Sequence, residues 1–373
     1  MKKSISFICA AAALMSFFCA NAAEPYQPKT KLRPTCTLRL YPEGQGVDKG
    51  IVENGVQVTL GPGESNGISA PEKMHENGNI GLIGDDARID LYIPKKCKGK
   101  MVVVCPGGGY SIVSSFNEGA YVADWFYRQG VAVCVVKYRL PNRHWNVPLT
   151  DVQNAFRYCR AHAAEWGVEK IGVIGFSAGG HLAASASTLY VDGTTRPDFS
   201  ILVYPVITME PSVTHTGTHD NLVGTVSEWV NDDLTVREYA RRKSAYHDLM
   251  EKYSLENQVN ENTPPTILLL SSNDGVVPVE NSLRYYNSLL ENKVSAQMYI
   301  YPYGGHGWGF TTSNFGTDRI EPYRGLFFDA ITTFLSEQSC SGKNNKGWPG
   351  AIPCLVATVR RVRCIQGSVK VQD

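Results

Sequence analysis

Gly175-Phe176-Ser177-Ala178-Gly179 sets a serine between glycines in the G-x-S-x-G pattern. Residues 171–174 before it are apolar and read as a buried strand, and Gly180-His181-Leu182-Ala183 opens a helix. This strand–turn–helix context gives the pattern its meaning. Glycines permit a strained turn that lifts the Ser177 hydroxyl above a sheet, and a helix N-terminus favours negative charge developing beside it. The chemistry would be acyl transfer to a serine oxygen. A bare hydroxyl is a weak nucleophile, so it needs a base, and the base needs an acid to orient it.

In this setting the chain order is serine, acid, histidine. Five histidines follow Ser177: His181, His215, His219, His247 and His306. His181 lies on the helix behind the serine, and His215, His219 and His247 precede the last expected strands. His306 follows those strands, in Tyr303-Gly304-Gly305-His306-Gly307-Trp308-Gly309, where glycines let a loop carry an imidazole toward the serine. Asp274 is the expected acid. It comes directly after the buried run 266–271, at the strand end where parallel sheets keep their sites. Glu280 is the alternative. The oxyanion requires amide donors, each worth about 10²–10³ in rate. Ala178 N–H supplies one, and Gly108 and Gly109, in Cys105-Pro106-Gly107-Gly108-Gly109-Tyr110, offer the other. His215 and His219 have H-x-x-x-H spacing, but Gly217 and two threonines between them argue against a metal-binding helix. No P-loop lysine or dinucleotide fingerprint occurs, so no cofactor or metal is expected.

These residues need a scaffold. Apolar or alternating segments predict strands at 89–93, 101–105, 131–136, 170–175, 199–204, 266–271 and 296–301. Helical stripes lie over 119–129, 148–163, 178–190, 279–290 and 323–335. The second carries Leu149, Val152, Phe156, Cys159 and Ala163 on one face, with Pro148 in its first turn and Gly167 just past its end. Alternation of this kind predicts an α/β domain over 87–337, a mostly parallel, doubly wound sheet with helices on both faces. Residues 207–263 break the rhythm and read as an excursion over one end of the sheet. Residues 23–86, rich in Gly, Asn and Pro, form an N-terminal extension. Residues 338–373 are a basic tail with three cysteines, disordered or a hairpin closed by Cys354 and Cys364.

Pro106-Gly107-Gly108-Gly109-Tyr110, Pro148-Leu149-Thr150-Asp151-Val152, the Ser177 elbow, Asp274-Gly275-Val276-Val277-Pro278 and Gly305-His306-Gly307-Trp308-Gly309 together resemble the α/β-hydrolase carbohydrate esterases, in particular secreted bacterial acetylxylan esterases. The resemblance runs from about residue 87 to 335 and includes all three candidate triad positions. It implies removal of acetyl groups from xylan or its oligosaccharides through an acyl-serine, with an acylated carbohydrate as partner. Pro106 stands where many lipases and esterases have the first histidine of an HGGG motif, which leaves the glycine amides available. Tyr110, Trp145 and Trp308 are candidates for an aromatic rim against a sugar ring; ordinary packing is the competing reading. Two other functions compete: a prolyl-oligopeptidase-like exopeptidase, for which 24–86 is too short to hold a propeller, and a catalytically silent binding protein of the same fold.

The chain has 373 residues and a formal net charge of +1, from 36 Lys+Arg against 35 Asp+Glu, which excludes a global basic field for nucleic acid. Lys2, Lys3, the apolar run 5–18 and Ala20-Asn21-Ala22 read as a signal peptide over 1–22, giving a secreted or periplasmic protein with no membrane insertion after cleavage. An oxidising compartment permits disulfides. Cys105, Cys134 and Cys159, however, sit in apolar segments as expected core residues. The sequence is silent on oligomeric state.

Overall fold

A computed structural model describes residues 31–40, 79–81, 83, 87–310 and 322–338, together with the backbone of five two-residue strand pieces between 52 and 74. The chain divides into two units after Gln338. The expected signal peptide, the hairpin at Cys354 and Cys364, and Cys340 lie outside the described residues.

One eight-stranded sheet organises the first unit. Its strands are β1 (Cys36–Arg39), β2 (Arg88–Tyr92), β3 (Gly99–Cys105), β4 (Ala132–Lys137), β5 (Val168–Phe176), β6 (Ser200–Val203), β7 (Thr266–Ser271) and β8 (Ala296–Tyr301), in the spatial order β1-β2-β4-β3-β5-β6-β7-β8. Strands β3 to β8 are mutually parallel, while β2 runs antiparallel to both β4 and β1. The N-terminal extension thus supplies an edge strand, β1.

Side-chain alternation explains why both faces are covered. On β3, Met101, Val103 and Cys105 enter one hydrophobic cluster, while Val102 and Val104 enter the other. Helices α2 (Asn146–His162), α3 (Ala178–Thr188) and α7 (Glu280–Glu291) cover the first face through residues such as Val152, Phe156, Leu182 and Tyr285. Helices α1 (Tyr121–Arg128) and α8 (Arg324–Glu337) cover the second through Val122, Phe126, Phe327, Ile331 and Phe334. Each such fully buried side chain contributes ~1.5–3 kcal/mol relative to exposure. The doubly wound, mostly parallel sheet expected from the sequence is the one observed.

A buried ion pair fastens α2 to the loop after β4. Arg139 Nη2 lies 2.7 Å from Asp151 Oδ1, and the Arg139 amide donates to Asp151 Oδ2 at 2.8 Å, with both side chains fully excluded from solvent. Residues 204–263 leave the sheet and build α4 (Thr216–Leu222), α5 (Val226–Trp229) and α6 (Val236–Tyr253). Thr225 and Thr235 open α5 and α6 with capping boxes completed by Glu228 and Glu238. Cys36, Cys97, Cys105, Cys134 and Cys159 are free thiols, and Cys105, Cys134 and Cys159 are buried. Among the described residues, no helix is long and apolar enough to cross a membrane.

Candidate active site

Ser177 sits on the one-residue turn between β5 and α3, with φ 54° and ψ −123°. A non-glycine residue held there costs on the order of 1–3 kcal/mol, which the surroundings must over-determine. The flanking glycines are required by contact. A Cβ on Gly175 would run into the Gly179 carbonyl, and one on Gly179 into the Cys105 carbonyl. Ser177 N–H donates to Val203 O on β6, and its own carbonyl accepts from the Gly180 and His181 amides.

The structure brings Ser177, His306 and Asp274 together from three strand ends. His306 Nε2 is 2.8 Å from Ser177 Oγ, and His306 Nδ1 is 2.7 Å from Asp274 Oδ2. The carboxylate only accepts, so Nδ1 carries the proton and Nε2 is free to accept from the serine hydroxyl. Asp274 is itself locked, because its Oδ1 accepts from the amides of Val276 and Val277, each at 2.9 Å. The His306 loop is pinned by Asn273 Oδ1 accepting from Gly305 N–H, and by Asn117 Nδ2 donating to Gly307 O. Glu280, the alternative acid, is an exposed residue on α7 that pairs with Arg284.

The glycine loop after β3 meets the serine from the other side. Its carbonyls are spoken for. Tyr138 hydroxyl donates to Pro106 O, Ser114 N–H to Gly107 O, the Ser111 and Ile112 amides to Gly108 O, and Asn221 Nδ2 to Gly109 O. Among the described residues, no intramolecular acceptor takes the N–H groups of Gly108, Gly109 or Ala178. Gly108 has φ 129° and Gly109 φ 61°, and a Cβ on Gly108 would collide with the Ile112 carbonyl. Fixed amides of this kind can receive an oxyanion without reorganising.

A cavity of about 340 Å³ opens over this arrangement, lined by Gly108, Gly109, Ile112, Ser177, His215 and His306 among others. That is within the usual range for small-ligand sites.

Two residues here escape sequence reasoning. Glu118 is buried, with Oε2 accepting from Gly107 N–H at 2.7 Å and Oε1 from the Tyr204 hydroxyl at 2.8 Å. The Tyr204 oxygen accepts in turn from Gly309 N–H at 2.8 Å, and the Tyr204 ring packs 4.8 Å from His306. Burial pushes the Glu118 carboxyl up from its ordinary value, opposed by these hydrogen bonds and by His306. One buried carboxylate therefore ties the glycine loop to the histidine loop. The second residue is His215, set aside above as a metal ligand and as a base. Its Nδ1 accepts from Thr218 N–H at 3.2 Å as the N-cap of α4, which leaves Nε2 as the protonated nitrogen of the neutral ring. Burial, then repulsion from His306, moves its pKa below the ordinary histidine value. Asn79, from the N-terminal extension, also lines the cavity.

The aromatic rim is corrected. Tyr110 is 2% exposed, turned into the core by its left-handed φ of 57°, with its hydroxyl 3.0 Å from His181 Nδ1. Trp308 is also 2% exposed, wedged edge-on against Tyr204 and Phe327 with Nε1 donating to Ser271 Oγ. Trp145 is half-buried but lines a different cavity, where it stacks on Trp229. None of the three lines the cavity over Ser177.

The BD-FAE family matches residues 89–289, more than half of the chain. An acetylxylan esterase of Xylanibacter ruminicola is 36% identical over 238 residues, 62% of this chain and 46% of that protein. Endo-1,4-beta-xylanase B of Butyrivibrio fibrisolvens is 33% identical over 222 residues, 55% of this chain and 32% of that protein. The chain thus spans less than half the length of these curated relatives. Among solved structures, the acetyl ester-xyloside bifunctional hydrolase from Caldicellulosiruptor lactoaceticus superposes with a TM-score of 0.51 at 29% identity, covering 66% of this chain and 89% of that one. With its sheet order, its elbow at Ser177 and these relatives, the chain belongs to the BD-FAE family and has the α/β-hydrolase fold.

Proposed function

We propose that this protein is a serine carboxylesterase that removes acetyl groups from xylan or xylo-oligosaccharides. The observation that carries the reading is the unbroken hydrogen-bond chain Ser177–His306–Asp274 beneath a cavity edged by unengaged amides. The relatives named as acetylxylan esterase and xylanase support the substrate class.

Ser177 Oγ attacks the ester carbonyl carbon as its proton passes to His306 Nε2, and Asp274 stabilises the imidazolium through Nδ1–H. The carbonyl oxygen takes the negative charge and accepts from the Gly108, Gly109 and Ala178 amides. Collapse breaks the carbon–oxygen bond to the sugar, whose departing oxygen takes the proton back from His306. Water, deprotonated by the same imidazole, then attacks the acyl-serine, releases acetate and restores the hydroxyl. Lysines, apolar run and small residues at the N-terminus support export as part of the same reading.

The test compares acetylated xylo-oligosaccharide, a feruloylated sugar ester and an aminoacyl-proline amide as substrates for the full chain. The proposal expects kcat/KM on the acetylated sugar to exceed the other two by at least about tenfold. Preference for the amide would replace it with the exopeptidase, and no turnover of any of them with the silent binding protein.

A further inference from the structure

A second cavity, of about 360 Å³, is lined by Trp145, Trp229, Arg143, Glu228, Arg241 and Arg242. It shares no lining residue with the catalytic one. Helix α4 links them: its N-cap His215 lines the catalytic cavity, and its C-cap Val223 lines the second. Seven residues of helix span about 10 Å, a distance that a short oligosaccharide covers. Asn221 joins the two walls directly. Its side-chain amide donates to Gly109 O at 2.9 Å, and its carbonyl accepts from Arg143 N–H at 2.9 Å.

The lining combines flat apolar surface with positive charge. Trp145 and Trp229 stack with centroids 6.3 Å apart and planes 29° from parallel. Trp229 spends its Nε1–H on Val223 O at 2.7 Å, which fixes the ring and leaves it to act by shape. Arg143 is neutralised by Glu228, with Nη2 2.7 Å from Oε1. Arg241 and Arg242 are exposed neighbours on α6, and among the described residues neither forms an ion pair within 4 Å. Glu238, one turn upstream and within the field of both arginines, accepts from the Thr235 hydroxyl and amide through Oε2 and stays beyond ion-pair distance of either guanidinium. The cavity wall therefore holds two arginines that, among the described residues, have no ion pair, beside a pair of indole rings. Guanidinium matches a carboxylate in two-point geometry, and indole surface accepts the apolar face of a pyranose ring. A bare inorganic anion would use the forks and ignore the indoles; a neutral sugar would do the reverse.

We propose that this cavity is a subsite for a uronic acid residue, its carboxylate held by Arg241 and Arg242 and its ring laid against Trp145 and Trp229, on the same glycan that presents an ester to Ser177. The second half of that statement rests on the proposed esterase function; the binding half does not.

The experiment is calorimetric titration of the full chain with two deacetylated xylo-oligosaccharides of equal backbone length, one carrying a uronic acid branch and one neutral, with sodium sulfate as a third arm. Neither sugar is a substrate, so the result is independent of esterase activity. Tighter binding of the acidic sugar by about threefold to tenfold is expected, two guanidinium contacts at an exposed site each contributing a few-fold. The preference should vanish in R241Q/R242Q, whose folding is checked by its thermal midpoint, and binding of the acidic sugar should weaken in W229A. Equal affinity for the two sugars, binding of neither, sulfate binding as tightly as the acidic sugar, or a preference that survives R241Q/R242Q would each overturn the subsite. Loss of esterase activity on every ester, with the acidic preference intact, would overturn the proposed function and leave the subsite standing.

Discussion

Asp274→Asn isolates the role of the acid, because the loop dictates which way the new amide must point. In the native protein, Oδ1 accepts from the Val276 and Val277 amides and Oδ2 faces His306 Nδ1 at 2.7 Å. In the variant, the asparagine carbonyl has to stay with the two loop N–H groups. Flipping it would turn an NH₂ toward both N–H groups and forfeit two hydrogen bonds at about 0.5–1.5 kcal/mol each, so the flipped form is the minor one. The NH₂ group then faces His306 Nδ1 and can only donate. Nδ1 becomes an acceptor, the ring proton moves to Nε2, and the atom 2.8 Å from Ser177 Oγ can no longer take the serine proton. A triad held in the wrong tautomer loses ~10⁴ in kcat, or about 5.5 kcal/mol of transition-state stabilisation. The turn keeps its hydrogen bonds, so the thermal midpoint should hardly move. The assay is kcat and KM on 4-nitrophenyl acetate beside a melting curve. A variant that keeps more than about a tenth of native kcat refutes the tautomer argument. A comparable loss in Glu280→Gln instead would transfer the acid role to that residue.

Three further outcomes follow from buried polar groups. His181, fully buried between Tyr110 and Tyr253 O, has its pKa lowered to about 4 by burial. Its folded value lies below its unfolded one, so its contribution is present above about pH 6.5 and is lost as pH falls towards 4, by at most about 3 kcal/mol; urea unfolding at several pH values should show His181→Gln with a flatter slope in that window, and an identical slope refutes it. Glu118→Gln supplies one acceptor where Gly107 N–H and the Tyr204 hydroxyl need two, so kcat/KM should fall about tenfold and couple non-additively with Tyr204→Phe by more than ~0.5 kcal/mol; strictly additive losses would break the proposed link between the loops. Arg139→Met strands Asp151 as a buried charge and should cost about 3–5 kcal/mol in denaturant unfolding, with much of that recovered in R139M/D151L, whereas a loss below about 1 kcal/mol contradicts the pairing.

What could be read in the sequence was whatever local pattern dictates. Alternation on β3 and the stripe on α2 announce which faces are covered, because a strand repeats every two residues and a helix every 3.6. Gly175 and Gly179 announce the elbow, because only a bare Cα tolerates carbonyls that close. Asp274 stands out because it follows a buried strand, and His306 because it follows the last strand, each in a glycine-containing loop. The aromatic side chains were not legible, since their direction depends on backbone detail. A left-handed Tyr110 turns inward, and Trp308, two residues from His306, points into the core. Glu118 and His215 owe their places to partners far along the chain, such as Tyr204, 86 residues away. An acid in Phe116-Asn117-Glu118-Gly119 reads locally as an ordinary helix start. The one signal that could have flagged His215 is the His-x-x-Thr spacing of an N-cap, and that speaks for the helix end, not for the cavity.

The proposed reaction passes through a covalent bond at a single oxygen, and rapid-quench mass spectrometry of the protein mixed with 4-nitrophenyl acetate measures it. The expected result is one acetyl group on the peptide carrying Ser177, formed within the burst and accumulating less in His306→Ala. Native turnover with that peptide never acylated, or with acetyl resident on another side chain that turnover requires, would contradict it.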